Sequence, residues 1–245
     1  MFNNLRTVQL QPGNDNIGSG LRNPWPLRQP IPRQWLVWEW LLNGNAWDSS
    51  GYGNNGTATN VTYSDTDIGY YRQNCVFNGS SSSIDTWNNF SSMFNGLFSV
   101  SLFVKCTNSA GVTYWSIFEN QVNGGAGKEV TIRQTNNSNE FFVNFYNWST
   151  SNLGFFSAIT QNWNHIVLVR DSLSTAKVYV NWNSSPILSL NITNTDYTWP
   201  TNVFFWRYST TQYFNWKLNF IRLFNRILST KEMQTLYKEW LKLLH

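Results

Sequence analysis

A chain of 245 residues with 12% charged and 17% aromatic side chains can build one large all-β core, since such domains run to roughly 200–250 residues without splitting, but it offers few titratable groups for acid–base or phosphoryl chemistry. Ordinary soluble proteins carry about 25% charged residues, so Asn, Ser and Thr must wet this surface. The formal net charge of +4 comes from scattered Lys and Arg, and no window approaches the ~20 apolar residues of a membrane span, so neither nucleic acid nor a membrane-spanning role is expected.

Residues 1–34 hold Pro12, Pro24, Pro26, Pro30 and Pro32, with Arg6, Arg22, Arg28 and Arg33 set against the single acid Asp15. This segment reads as an extended basic arm with polyproline character from Asn23 to Pro32, either a disordered tail or an arm that docks on a partner. Trp25, Leu27 and Ile31, apolar side chains on a stiff segment, are its candidate partner contacts.

From Trp35 the text changes to short runs of Val, Ile, Phe, Tyr, Trp and Thr punctuated by Asn, Gly and Ser, the signature of an all-β sandwich. Strands are expected near 35–41, 56–63, 73–78, 97–106, 113–119, 128–134, 140–147, 153–158, 164–170, 176–182, 186–192, 202–206 and 216–225. In Phe98–Lys105 the apolar residues Phe98, Val100, Leu102 and Val104 alternate with Ser99, Ser101 and Lys105; Phe103 breaks the pattern, so part of the second face should also be covered.

The end of the chain, 229–245, is helical. Ser229-Thr230-Lys231-Glu232 is a capping box, and Met233, Leu236, Tyr237, Trp240, Leu241 and Leu244 form a stripe that must cover either the chain's own sandwich or a neighbouring subunit, with Trp240 and Leu244 as candidate partner contacts. Cys75 and Cys106 permit one disulfide or two buried thiols. Met1–Arg6 is not followed by the apolar stretch and small-residue cleavage site of a secretory signal. An extracellular composition without that signal is expected of a protein carried on a virus particle.

Read in order, five segments resemble the laminin G-like (pentraxin-related) module of the concanavalin A-like lectin/glucanase superfamily, over about residues 35–238. They are Trp38–Leu41 with Asp48-Ser49-Ser50-Gly51-Tyr52-Gly53-Asn54-Asn55-Gly56-Thr57, whose glycines suit tight turns; Phe77-Asn78-Gly79; Phe98–Lys105; Trp163-Asn164-His165 with Val178-Tyr179-Val180-Asn181; and Ile221–Ser229. The resemblance implies a two-sheet antiparallel jelly roll over 35–228. It also implies a structural calcium site, for which Asp48 and Asn219 are the candidates, although Asn219 and Trp216 replace the family's Asp and Gly and should weaken it.

No closely alternating pair of carboxylates suits a glycoside hydrolase, His165 sits in a strand where a structural role is expected, and neither Cys nor Ser sits in a nucleophile motif. Aromatics beside Asn, Ser and Thr loops can stack on sugar rings while amides bond the hydroxyls; Trp115, Tyr146, Trp148, Trp206, Tyr208 and Tyr213 are the candidate glycan contacts. The expected function is therefore non-enzymatic: a virion surface protein such as a spike, vertex or decoration subunit, self-associated as a trimer or pentamer and attaching to a host glycan or receptor. A secreted or cell-surface glycan-binding adhesin is the alternative, and a glycoside hydrolase the remote one.

Overall fold

The computed structural model describes residues 32–64, 73–89, 91–106, 114–120, 128–135, 139–147, 149–158, 162–193, 202–205 and 215–242. Among these, the strands are β1 (Leu36–Trp40), β2 (Thr57–Thr59), β3 (Thr62–Ser64), β4 (Asn74–Val76), β5 (Ser83–Asn89), β6 (Phe98–Cys106), β7 (Tyr114–Asn120), β8 (Lys128–Thr135), β9 (Glu140–Asn147), β10 (Ser151–Ser157), β11 (Trp163–Arg170), β12 (Thr175–Val180), β13 (Leu188–Asn191), β14 (Asn202–Phe205) and β15 (Trp216–Phe224). A short helix, α1 (Ser91–Phe94), precedes β6, and α2 (Thr230–Leu241) ends the described chain. Neither helix is long and apolar enough to cross a membrane.

The strands form two antiparallel sheets. One has eight strands in the order β13-β12-β11-β6-β15-β4-β3, with β1 also paired to β15; the other has seven, in the order β10-β9-β8-β7-β14-β5-β2. Val100, Leu102 and Val104 from the first sheet and Phe118, Ile132 and Val143 from the second belong to one buried cluster, so the sheets enclose a common core. The expected strand at 56–63 is instead two: Asn60 has a φ of +51°, and this left-handed corner sends β2 to β5 in one sheet and β3 to β4 in the other.

A second left-handed residue sets the helix in place. At Phe220, φ is +45°, and a register shift between Asn219 and Arg222 puts an extra residue into β15. Before the bulge β15 pairs with β4 (Leu218 opposite Cys75); after it, with β1 (Ile221 opposite Trp40). The extra residue lets Phe220 join Phe103 and Trp240 in a buried cluster outside the common core. Phe103 therefore breaks the alternation of β6 because α2 lies on it, with the ring of Trp240 stacked at 4.7 Å.

This corrects the expectation for Trp240. At 3% exposure it is spent on the chain's own sheet and is not open to a partner, and Met233 and Leu236 are buried with it. Leu244 lies outside the described residues, as do Trp25, Leu27 and Ile31. The arm's end at Arg33 and Gln34 is part of the folded body, since Arg33 meets Glu39 at 3.1 Å and the Gln34 carbonyl accepts from Arg226 at 2.8 Å.

Both cysteines are free and buried. Cys75 on β4 and Cys106 on β6 flank β15 from opposite sides, two strand spacings apart, too far for a disulfide.

The capping box forms as read. Ser229 Oγ accepts from the Glu232 N–H, and the Glu232 carboxylate accepts from the Ser229 N–H and, at 2.9 and 2.7 Å, from Arg226. These donors, Arg226 foremost, hold the Glu232 carboxyl down at about 2. A depressed carboxylate stabilises the fold above its ordinary value of 4.5, and that contribution is lost as the pH falls through about 2. Glu232→Gln should therefore lower the melting temperature at pH 7 and converge on the parent by pH 2; a pH-independent gap in thermal melts would refute this.

Candidate functional site

Strands β7 to β10 are consecutive in both sequence and sheet, so their side chains fall into two rows. One row, including Phe118, Val130, Ile132, Val143 and Phe145, enters the core. The other builds three rungs across the opposite face: Ser116, Arg133, Phe142 and Phe155; then Glu119, Thr131, Asn144 and Leu153; then Glu129, Tyr146 and Ser151.

Two carboxylates share one guanidinium on this face. Arg133 Nη2 lies 3.0 Å from Glu129 Oε2 and 3.6 Å from Glu119 Oε1, and Arg133 Nε donates to Ser116 Oγ at 3.1 Å. The Ser116 hydroxyl donates to Glu119 at 2.6 Å, Asn144 Nδ2 donates to Glu129 at 3.1 Å, and Ser151 donates to Asn144 Oδ1 at 2.7 Å. One hydrogen-bonded network thus crosses four strands.

Its centre is dry. Glu119, Glu129 and Arg133 are each no more than 5% exposed, and Thr131, wholly buried between Glu119 and Asn144, has a hydroxyl with no partner among the described residues. Burial pushes the Glu129 carboxyl above its ordinary value against the pull of Arg133 and Asn144. The rim is wet and apolar: Leu153 and Phe155 are 43% and 49% exposed, Tyr146 is half-buried, and Phe155 lies 5.8 Å from Phe142, whose ring carries the Arg133 guanidinium on its face. Buried acceptors and donors bordered by exposed rings suit the hydroxyls and flat C–H faces of a ligand.

Sequence reasoning named Tyr146 and missed the rest. The missing signal is a bulge in β7 between Ser116 and Phe118, which brings Ser116 and Glu119, three residues apart, onto one face. Regular alternation would put them on opposite faces. The carboxylate pair also comes from two strands, so no short motif contains it.

The other candidates are dispersed. Trp115 occupies β7 opposite Gln134, its side chain outside those described, and Trp148, Trp206, Tyr208 and Tyr213 lie outside the described residues altogether. Asp48 organises its own loop: one carboxylate oxygen accepts from the Glu39 and Ser50 N–H groups, the other from the Ser50 hydroxyl and the Asn54 N–H. Asn219 is buried on β15 and donates to the Gln73 carbonyl at 3.0 Å. Calcium prefers six to eight oxygens with carboxylates among them, whereas Asp48 is saturated by donors and no group of three His, Cys, Asp or Glu able to hold a metal occurs among the described residues. These residues do not fit the ion. His165 is buried, stacked on Phe103 at 4.3 Å and bonded to Ser101 at 2.8 Å; burial and the Arg222 charge push its pKa down to about 3, so it stays neutral as a packing residue.

No protein-family model and no curated protein matches the chain. Solved structures do. The binding domain of botulinum neurotoxin serotype D superposes with a TM-score of 0.67 at 16% identity, over 84% of this chain and 52% of that one. The structure titled for cell entry of botulinum neurotoxin type C dependent on two ganglioside molecules gives 0.66 at 14% identity, over 85% and 52%. The binding domain of botulinum neurotoxin DC in complex with rat synaptotagmin II gives 0.67 at 14%, over 86% and 52%. The likeness is one of fold. This chain spans about half the length of the binding domains it matches.

Proposed function

We propose that the chain is a non-enzymatic, lectin-like jelly roll of the concanavalin A type that binds a glycan on the Tyr146–Phe155 face of its seven-stranded sheet. The observation that carries this reading is the network of carboxylate, amide and guanidinium groups bordered by exposed rings on that one face. Both carboxylates are already engaged with Arg133, which suits fixed acceptors better than groups that must exchange protons with a substrate. The names of the structural neighbours, binding domains associated with gangliosides and with synaptotagmin, lend support at the level of fold. In this reading the module works on an exterior surface, that of a virus particle or of a cell.

Tyr146→Ala and Phe155→Ala should each weaken glycan binding about ten-fold, equivalent to ~1.4 kcal/mol, in titration calorimetry. Because both side chains reach solvent, the melting temperature should barely move. Unchanged affinity in both variants would refute the assignment of this face.

A further inference from the structure

We infer that this face takes uncharged, hydroxyl-rich glycans and excludes anionic ones, an inference that rests on the glycan-binding reading above. The face carries Glu119 and Glu129 on adjacent strands, and Glu140 joins them in the row of Phe142 and Asn144, where its carboxylate accepts from Thr135 at 3.1 Å. Among the described residues of β7 to β10, Arg133 is the one cation in this row, because Lys128 alternates to the row of Val130 and Ile132. Its guanidinium is committed to Ser116, Glu129 and Glu119.

A sugar carboxylate or sulfate arriving here would come up against the charge of three carboxylates, and the one cation among the described residues of this row is already engaged. Removing an anion from water beside like charges, in a setting where the charged groups are nearly dry, is strongly unfavourable. A neutral hydroxyl meets the reverse situation. Carboxylate oxygens are acceptors only, and hydroxyls are donors. The second, independent sign is Thr131: its buried hydroxyl, set directly between Glu119 and Asn144, can both donate and accept and does neither with any described group. A group of that kind matches a hydroxyl and gives a carboxylate or sulfate a single hydrogen bond without a charge to balance it.

The test is an array of neutral, sialylated and sulfated glycans probed with the full chain, with Tyr146→Ala and Phe155→Arg, and with affinities then measured by calorimetry. Neutral glycans should bind, with at least ten-fold preference over anionic analogues of the same backbone, and Tyr146→Ala should weaken that binding about ten-fold. Phe155→Arg sets a cation on the exposed rim and, whatever the lost ring costs both classes, should narrow the preference for neutral over sialylated or sulfated forms by ten-fold or more. Anionic glycans bound as tightly as neutral ones, with loss in Tyr146→Ala, would overturn the charge selection and leave the glycan face standing. A silent array, or binding indifferent to Tyr146→Ala, would overturn both.

Discussion

Arg222→Ala is expected to destabilise the fold by about 3–5 kcal/mol, the usual loss when one partner of a buried ion pair is removed. Arg222 has no exposed surface; its Nε donates to Glu39 at 2.7 Å and its Nη2 to Glu239 of α2 at 3.1 Å, and its guanidinium lies 5.1 Å from the centre of the Phe220 ring. One side chain therefore joins β1, β15 and α2. Burial works to raise the Glu39 carboxyl, and the charge and hydrogen bond of Arg222, helped by Ser49 and Arg33, overcome it and hold the group below its ordinary 4.5. A depressed carboxylate stabilises above 4.5 and ceases to do so as the pH falls. Without Arg222 most of that support is gone and burial should raise the same carboxyl, so the loss should be largest at pH 7 and smaller at pH 4. Urea unfolding at the two values measures this. The double variant Glu39→Leu with Arg222→Met should lose less than the two single losses added together, because the Glu39–Arg222 pair is removed whole and only the partly exposed Glu239 loses a partner. An Arg222→Ala chain with the parent's urea midpoint would show that the pair contributes nothing.

Much of the fold can be read in the residues, because alternation and turn chemistry are local. Glu140–Asn147 is bounded by Asn-rich sequence, and the strand expected at 140–147 is β9 itself. β5 escaped notice because Ser80–Ser83 before it and Asn88-Asn89 at its end make the stretch look like loop, although Ile84 is fully buried. Residues that bend strands were also illegible: Phe220 takes left-handed backbone against its own preference, and Asn60, which tolerates that conformation, sits inside an otherwise strand-like run; each decides which strands become neighbours. The candidate site was hidden for the same reason. Its carboxylates come from β7 and β8, and a bulge brings Ser116 to Glu119, so only the register reveals them. At Asp48 the residues suggested a side chain bonded to its own loop and the family resemblance suggested an ion; the carboxylate accepts from its own loop.

The glycines of that same loop supply a second large effect. In the sequence Gly51, Gly53 and Gly56 look alike, residues suited to tight turns, but only the first two have positive φ, of +101° and +75°. Gly56 is needed for a different reason. A Cβ there would lie 2.3 Å from Trp40 Cζ2 and 2.4 Å from Ile84 Cγ2, and neither neighbour can retreat. Both are fully buried; the Trp40 ring is pinned by its Nε1 donating to the Asn54 carbonyl at 3.1 Å and by edge contact with Trp38 at 4.3 Å. Gly56→Ala should thus cost about 3 kcal/mol, the upper end of overpacking in a close-packed core, with a matching fall in melting temperature. Gly51→Ala is the control: nothing lies within 4 Å of its Cβ, so only backbone strain is left, roughly 1 kcal/mol. Crowding and strain are separated by the order of the two losses, since equal losses would mean that the Trp40 ring gives way and that Gly56 is, like Gly51, a matter of backbone alone.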